Sequence, residues 1–379
     1  PPFSDIEKTY NFTNILYDIT ALEIREEYLW PQSMPCIITD EEDIPVAQYG
    51  DYDEAIEAQQ YRNNLLQKYG GKKQLISGIH YNFSFTEEFI NKLHENSDKS
   101  LGYKDFKDEI YLKVTRNYLR YRWLIIYLLG GTGTVHESFI SECKGQLKEI
   151  SKSNYSNDGA LSYRNSKCGY NNKMKLFPNY NSVNEYVDSL KEFISNNLIS
   201  SHKELYSSIR LKPRNAKDFF DSLLQGGIKY LEYRSIDINP FEKGGISLYD
   251  LYFLQIFNLF LLINEENYYD KWQEEALENQ YEIARSGQNE IMLKRDGEFV
   301  SKTQWALEIF DVISKINGEL ELGKEDIINL MVNKIKDNKI TYAYRIVKKV
   351  EEEGYVNAHL KLAKQYKNDA YNNRFKLEG

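Results

Sequence analysis

The sequence predicts an α+β domain whose C-terminal third is helical, and three observations predict it. Stretches 74–85 (QLISGIHYNFSF), 204–212 (ELYSSIRLK) and 226–241 (GGIKYLEYRSIDINPF) alternate residue character with a period of two, as half-buried strands do. From Thr303 onward the chain carries only amphipathic helical segments, at 305–316, 324–335, 341–353 and 357–372. No internal repeat or flexible linker divides the chain, so residues 1–379 read as one domain of catalytic size.

The elements follow in order. Ser4 and Glu7 have the form of a capping box, and Ile6, Tyr10, Leu16, Ile19 and Leu22 follow at helical spacing, so a helix is expected at once. Pro31 and Pro35 then forbid regular helix, a short strand with an acidic turn at 40–43 comes next, and Gln48, Tyr49 and Gly50 close that unit. A helix over 53–69 is expected to end in a left-handed cap at Gly70 and Gly71. In the strand 74–85, Gln74, Ile76, Gly78, His80, Asn82 and Ser84 share one face, and Leu75, Ile79, Tyr81 and Phe83 lie on the other. A long helix over 105–129 stops at the glycine cluster 130–134, which lacks the Gly-Lys-Ser/Thr ending of a phosphate loop. Residues 159–175 form a turn-rich loop carrying Arg164 and Tyr170. Ser182 and Glu185 cap a helix over 182–197, and Ser247 caps an apolar, hence buried, helix through Ile263.

Composition bounds the function. A net charge of −9 without a basic run argues against a nucleic-acid backbone as partner, while a small anionic substrate held by local positive groups remains open. The longest apolar runs, 123–129 and 259–263, are far shorter than the ~18 residues of a membrane span. Cys36, Cys143 and Cys168 are odd in number and lack CxxC spacing, so neither a disulfide framework nor a zinc site is expected, and a reducing cytoplasm fits. No signal peptide is visible, but the chain begins at Pro1 without Met, so that silence carries little.

Three strands carry the candidate chemistry. Tyr230, Glu232 and Arg234 share one face, and neither charge is readily buried alone, since desolvation costs several kcal/mol. A surface ion pair would explain the pair blandly; the apolar helix that follows places the strand inside the domain. Glu232 then reads as a metal ligand and Arg234 as the group that binds the phosphate this metal carries. A lone strand histidine is usually structural, yet His80 shares its face with Gln74 and Asn82. Glu204, Tyr206, Arg210 and Lys212 fall in one register, and like charges gathered on one face call for an anion.

Together, stretches 30–36 (WPQSMPC), 48–50 (QYG), 76–84 (ISGIHYNFS), Arg164 with 169–173 (GYNNK), 204–206 (ELY) with Arg210, and 226–241 resemble the bacterial glutamate–cysteine ligase family, colinearly over most of the chain. The resemblance implies a glutamine-synthetase-like fold with an antiparallel sheet funnel. It also implies ATP-dependent joining of the glutamate γ-carboxyl to the cysteine amine through a γ-glutamyl phosphate, the first step of glutathione biosynthesis, in the cytoplasm. By the same resemblance Glu232 and His80 bind Mg²⁺ or Mn²⁺, and Arg234, with Arg210 and Lys212, faces the nucleotide. Tyr61, Leu65, Gln74, Asn82, Arg164, Tyr170 and Tyr206 hold L-glutamate and L-cysteine. Stretch 359–379 resembles the bifunctional members, so residues 355–379 are expected to start a linker towards an ATP-grasp glutathione synthetase domain. The sequence departs from the family in two ways. Metal-binding glutamates expected just before the position of Pro1 are absent, which implies an N-terminally truncated sequence that ligates poorly by itself. The partner that some members give the cysteine matching Cys36 falls near His94, so that disulfide cannot form. A sister ligase using another amine, and a non-catalytic amino-acid-binding fragment, stand as alternatives.

Overall fold

The computed structural model describes residues 2–140 and 143–377. Helix α1 (Ile6–Glu23) is capped by Asp5, which accepts the Lys8 N–H at 3.0 Å, so the expected Ser4 cap gives way to a carboxylate one residue later. The strand expected after Cys36 does not form; the prolines leave an irregular segment, pinned where the Trp30 indole donates to Met34 O at 2.9 Å. Helix α2 (Asp53–Tyr69) ends at Gly70, whose φ of 81° and ψ of 162° are open to glycine but lie outside the left-handed helical cap expected there. A short α3 (Gly71–Gln74) precedes β1 (Ile79–Phe83) and α4 (Glu87–Glu95). Helix α5 (Tyr103–Leu129) runs into Gly130 as expected. Then come β2 (Thr134–His136), β3 (Lys148–Ser151), β4 (Asn154–Ser156), α6 (Val183–Ser195), β5 (Ile209–Lys212), α7 (Phe219–Gly226) and β6 (Tyr230–Ile236). The expected Ser247 cap opens α8 (Leu248–Ile263), and Asp250 completes a capping box with it. Helix α9 (Trp272–Ser286) and the hairpin β7 (Met292–Arg295) and β8 (Glu298–Ser301) have no counterpart in the sequence reading. The helical last third is α10 (Lys302–Glu319), α11 (Glu325–Lys336), α12 (Tyr342–Glu353) and α13 (Tyr355–Leu377). Helix α13 covers the helix expected over 357–372; Ala358, Ala363, Tyr366 and Ala370 are buried, and the Tyr366 hydroxyl donates to Pro240 O at 2.8 Å. Pro1 and residues 378–379, the ends of the expected domain, lie outside the described residues.

The central sheet has the order β1-β6-β5, all antiparallel. Its register sets Asn82 and Arg210 on either side of Glu232, and Tyr81 and Ile209 on either side of Tyr233. Because side chains alternate, Ile209, Leu211, Leu231 and Tyr233 enter the core while Arg210, Lys212, Glu232 and Arg234 take the opposite face. The core face is closed by α5 and α8: the Tyr118 and Tyr233 rings lie 4.0 Å apart, and the Tyr233 hydroxyl donates to Asn258 Oδ1 at 2.5 Å. Burying each large side chain here contributes roughly 1.5–3 kcal/mol, so the strand backbone is held rigidly beneath its charged face.

Two expected strands are shorter than their alternation suggested. Gln74 sits in the turn α3, where its amide donates back to Gly70 O at 3.1 Å, so it does not share a strand face with His80 and Asn82. Glu204 ends a 3₁₀ turn, His202–Glu204, and Tyr206 lies between that turn and β5, so neither shares the strand register of Arg210 and Lys212. The cysteine expectation is also corrected: Cys143 and Cys168 form a disulfide with Cα atoms 6.0 Å apart, while Cys36 is free. Spacing rules detect local motifs, and this bond joins segments 25 residues apart through the fold of loop 159–175.

Candidate active site

The charged face of the central sheet holds more positive than negative charge. Glu232 is 8% exposed; its Oε2 lies 3.4 Å from Lys212 Nζ and its Oε1 3.4 Å from Arg234 Nε. Burial pushes its carboxyl up, but Lys212, Arg210 and Arg234 outweigh that and hold it below the usual carboxylate range. Burial, reinforced by Arg210, pulls Arg234 down to about 10, which leaves it charged at neutral pH. The Nε atoms of Arg234 and Arg210 are buried without a hydrogen-bond partner, although Arg210 Nη2 donates to Lys203 O at 2.6 Å and Leu205 O at 3.1 Å. His80, on β1, is held below its ordinary value by burial and by Arg234.

Beside this face lies a cleft of about 650 Å³, open solvent included, lined among others by His80, Arg164, Tyr170, Tyr206 and Arg234. The Arg164 guanidinium spans its floor: Nη2 donates to Arg234 O, Nη1 donates to Ile236 O at 3.3 Å, and Asp237 Oδ1 lies 3.6 Å away. Burial pulls its pKa down, with Asp237 opposing. Gly78 leaves room for it: a Cβ at that position would meet the Arg164 guanidinium and force it to shift. Tyr170 and Tyr206 share a hydroxyl–hydroxyl hydrogen bond of 2.5 Å, and both rings meet Tyr69 edge-on. Burial pushes Tyr170 up to about 12 and Tyr206 well above the ordinary phenol, so both stay protonated donors at neutral pH. Glu204 does not reach this cleft as an acid: Lys68 Nζ and the Tyr69 hydroxyl bond its Oε1 at 2.5 and 2.6 Å, and the Ser200 N–H and hydroxyl bond its Oε2 at 2.6 and 2.7 Å.

The structure therefore gathers Glu232, Arg234, Arg210, Lys212, His80 and Asn82 on one sheet face and sets Arg164, Tyr170 and Tyr206 beside it. Tyr61 belongs to the same neighbourhood; burial raises its hydroxyl, while Arg210 and Arg234 act on it to lower it. Leu65 is a buried residue of α2 and Gln74 is tied into its turn, and neither lines the cleft. Ser207, Ser208 and Gln280 line it without having been singled out in the sequence. The alternation of 204–212 points to Ser208, on the face of Arg210, and not to its neighbour Ser207; nothing local marks Gln280.

Among the described residues, no three His, Cys, Asp or Glu side chains gather as a metal-binding group. Glu232 and His80, expected to hold Mg²⁺, are two ligands set among cations, against the roughly six that Mg²⁺ takes. The described side chains therefore do not fit a metal ion by themselves. A surplus of cations, with the buried Nε atoms of Arg210 and Arg234 making no hydrogen bond, fits phosphate or carboxylate.

Comparison with solved structures gives the fold. The chain superposes on the 2.0 Å crystal structure of the Francisella tularensis glutamate–cysteine ligase in complex with AMP, with a TM-score of 0.89 and 24% identity, over 98% of this chain and 79% of that one, and so has that ligase fold. At the level of sequence, a model of the glutamate–cysteine ligase family matches residues 1–283. The glutathione biosynthesis bifunctional protein GshAB of Clostridium perfringens is 38% identical over the whole of this chain and 49% of its own length. The glutamate–cysteine ligase of Clostridium acetobutylicum is 34% identical over 77% of this chain and 68% of its own. The chain belongs to the glutamate–cysteine ligase family. It spans about half the length of the bifunctional relatives it matches. Among the described residues, no helix is long and apolar enough to cross a membrane.

Proposed function

We propose that this chain joins the γ-carboxyl of L-glutamate to the amine of L-cysteine at the expense of ATP, the first step of glutathione biosynthesis. The observation that carries the reading is the cation surplus on the central sheet, where Arg210, Lys212 and Arg234 surround the one buried carboxylate of Glu232. A carboxylate does not react with an amine at neutral pH, so it must first be activated. A glutamate γ-carboxylate oxygen attacks the γ-phosphorus of ATP, ADP leaves, and a γ-glutamyl phosphate results. The cysteine nitrogen then attacks the acyl carbon, inorganic phosphate leaves with the bonding electrons, and the amine's proton passes to solvent. In both steps charge develops on phosphoryl oxygens, and Arg234, Arg210 and Lys212 are the groups that neutralise it. Glu232 keeps these cations in register, Arg164, Tyr170, Tyr206 and Tyr61 position the amino acids, and Asn82 lies at the sheet edge beside them. Mg²⁺ or Mn²⁺ enters the proposal only as the counter-ion that ATP carries, with Glu232 and His80 as its candidate contacts.

The protein is read as one ligase domain over residues 1–379, and we extend the proposal to the whole protein, in which an ATP-grasp glutathione synthetase part follows and consumes the dipeptide. What supports this is the naming and double length of the bifunctional relatives. The test of the reaction is ADP release from ATP in the presence of glutamate, with cysteine supplied or withheld. Release that requires both amino acids, with γ-glutamylcysteine as product, supports the reading; release indifferent to cysteine overturns it.

A further inference from the structure

Arg122 is 6% exposed in α5, and no hydrogen bond or ion pair among the described residues engages its guanidinium; its Nε is buried with no partner. Its electrostatic neighbours are hydroxyls only, those of Tyr118, Tyr281 and Tyr180, and burial pulls it down to about 10. The other arginines of the same helix are provided for: Arg116 binds Glu109 and Glu266 at 2.6 and 2.7 Å, and Arg120 binds Glu266 at 3.0 Å. An uncompensated buried guanidinium costs several kcal/mol, and its surroundings offer a reason to keep it. Arg122 lines a cavity of about 670 Å³, open solvent included, whose wall also includes Asn172, Phe177, Leu205, Ser208 and Gln280. Tyr206, Ser207, Ser208, Asn171 and Gln280 line both this cavity and the cleft of Arg164 and Arg234, so the two lie back to back.

We propose that the cavity at Arg122 is a second anion site, taking the carboxylate of a small amino acid or short peptide. A guanidinium receives a carboxylate through two parallel N–H bonds, and Phe177 and Leu205 suit the apolar body of such a ligand; the wall amides of Asn172 and Gln280 are already bonded, to Glu204 O and the Tyr69 hydroxyl and to Asn165 O. A single buried charge balances a monoanion; a phosphate dianion would remain half unpaired. The site has a mechanical link to the cleft. Ser208 O accepts the Arg234 N–H at 2.8 Å, and the Ser208 hydroxyl donates to Gln280 Oε1 at 3.1 Å, while the Gln280 amide donates to Asn165 O at 3.0 Å. A ligand on Arg122 therefore touches the wall that holds Arg234 in place.

The proposal does not depend on the ligase reaction, and its test needs neither ATP nor turnover. Propionate is titrated into the whole chain, following the side-chain Nε–H resonance of Arg122, assigned by its loss in Arg122→Met, together with the melting temperature. A saturable shift of that resonance, with a rise in melting temperature that Arg122→Met abolishes, is the expected result. Arg122→Lys, which keeps the charge but not the fork, should bind propionate roughly tenfold more weakly, and it replaces the Met variant in the melting experiment should that one fail to fold. A resonance that propionate does not move, a melting response equal in wild type and variants, or a larger effect of inorganic phosphate than of propionate would each overturn the proposal.

Discussion

Asp237 and Glu232 leave the same stretch of chain, one just beyond the end of β6 and the other in its middle, and both are buried. Asp237 is fully provided for by the protein. Its Oδ2 accepts the Gly131 N–H at 3.0 Å and the Thr132 hydroxyl at 2.6 Å, and its Oδ1 accepts the Ser162 hydroxyl and the Asn165 amide, both at 3.1 Å. Glu232 has only the cations Lys212 Nζ and Arg234 Nε at 3.4 Å, and neither that Arg234 Nε nor the buried Nε of Arg210 makes a hydrogen bond. A buried polar cluster that is closed on itself fixes a fold, whereas one left open at the same depth is kept for what binds to it. Asp237 thus joins the end of β6 to the loop after α5, and in the proposed reaction Glu232 and Arg234 are the working groups on the platform so fixed.

The comparison can be broken at either end. Asp237→Ala should show the largest effect: removing it strands the donors of Gly131, Thr132, Ser162 and Asn165, and urea unfolding should register a loss of about 3–5 kcal/mol. A loss under about 1 kcal/mol would mean that the cluster does not anchor the strand. Arg234→Met should lower kcat by roughly 10²–10³-fold through lost stabilisation of phosphoryl charge, read as cysteine-dependent ADP release. Arg164 belongs to both categories, since its guanidinium ties strand carbonyls and also lines the cleft. Arg164→Ala should weaken an amino-acid substrate by roughly 10–150-fold and lower the melting temperature as well, with ATP affinity little changed. An ATP affinity that falls equally would move Arg164 to the nucleotide side. His80 should give the smallest effect. Its folded pKa is lowered, so it favours folding above the ordinary value near 6.5 and that contribution is lost as pH falls from about 6.5 towards the folded value. His80→Gln should flatten that part of the stability profile, and Arg234→Met should raise the imidazole pKa in an NMR titration. An unmoved titration would place the two groups in separate environments.

Alternation in the sequence was enough to place Glu232 with Arg234 and Arg210 with Lys212, because the strand period of two acts locally and the core face is unmistakably apolar. It overran its limits at Gln74 and Glu204, where polar alternation continues but the backbone turns away. Glu204 is drawn instead to Lys68 and Tyr69, 136 and 135 positions distant. The Asp237 cluster, the Cys143–Cys168 bond and the isolation of Arg122 were illegible for the same reason. Each depends on what the fold brings alongside, as when Thr132 reaches Asp237 across 105 positions, and no local pattern reports that. Helix α9, which supplies Gln280 to both cavities, was missed although its apolar residues Ala276, Ile283 and Ala284 are buried; they are too few among polar neighbours to stand out as a stripe.

On the proposed reading, the charged face of β5 and β6 is held open for an anionic ligand and contributes little to the fold. Urea unfolding of Arg234→Met beside wild type, without ATP and with ATP and Mg²⁺ at a hundred times the wild-type Kd, tests it most directly. The two proteins should unfold within about 1 kcal/mol of each other without nucleotide. Nucleotide should then add about 2.7 kcal/mol to wild type and much less to the variant. A variant already weakened by 3 kcal/mol or more without ATP, yet keeping the full gain from ATP, would make Arg234 a structural residue and contradict the account.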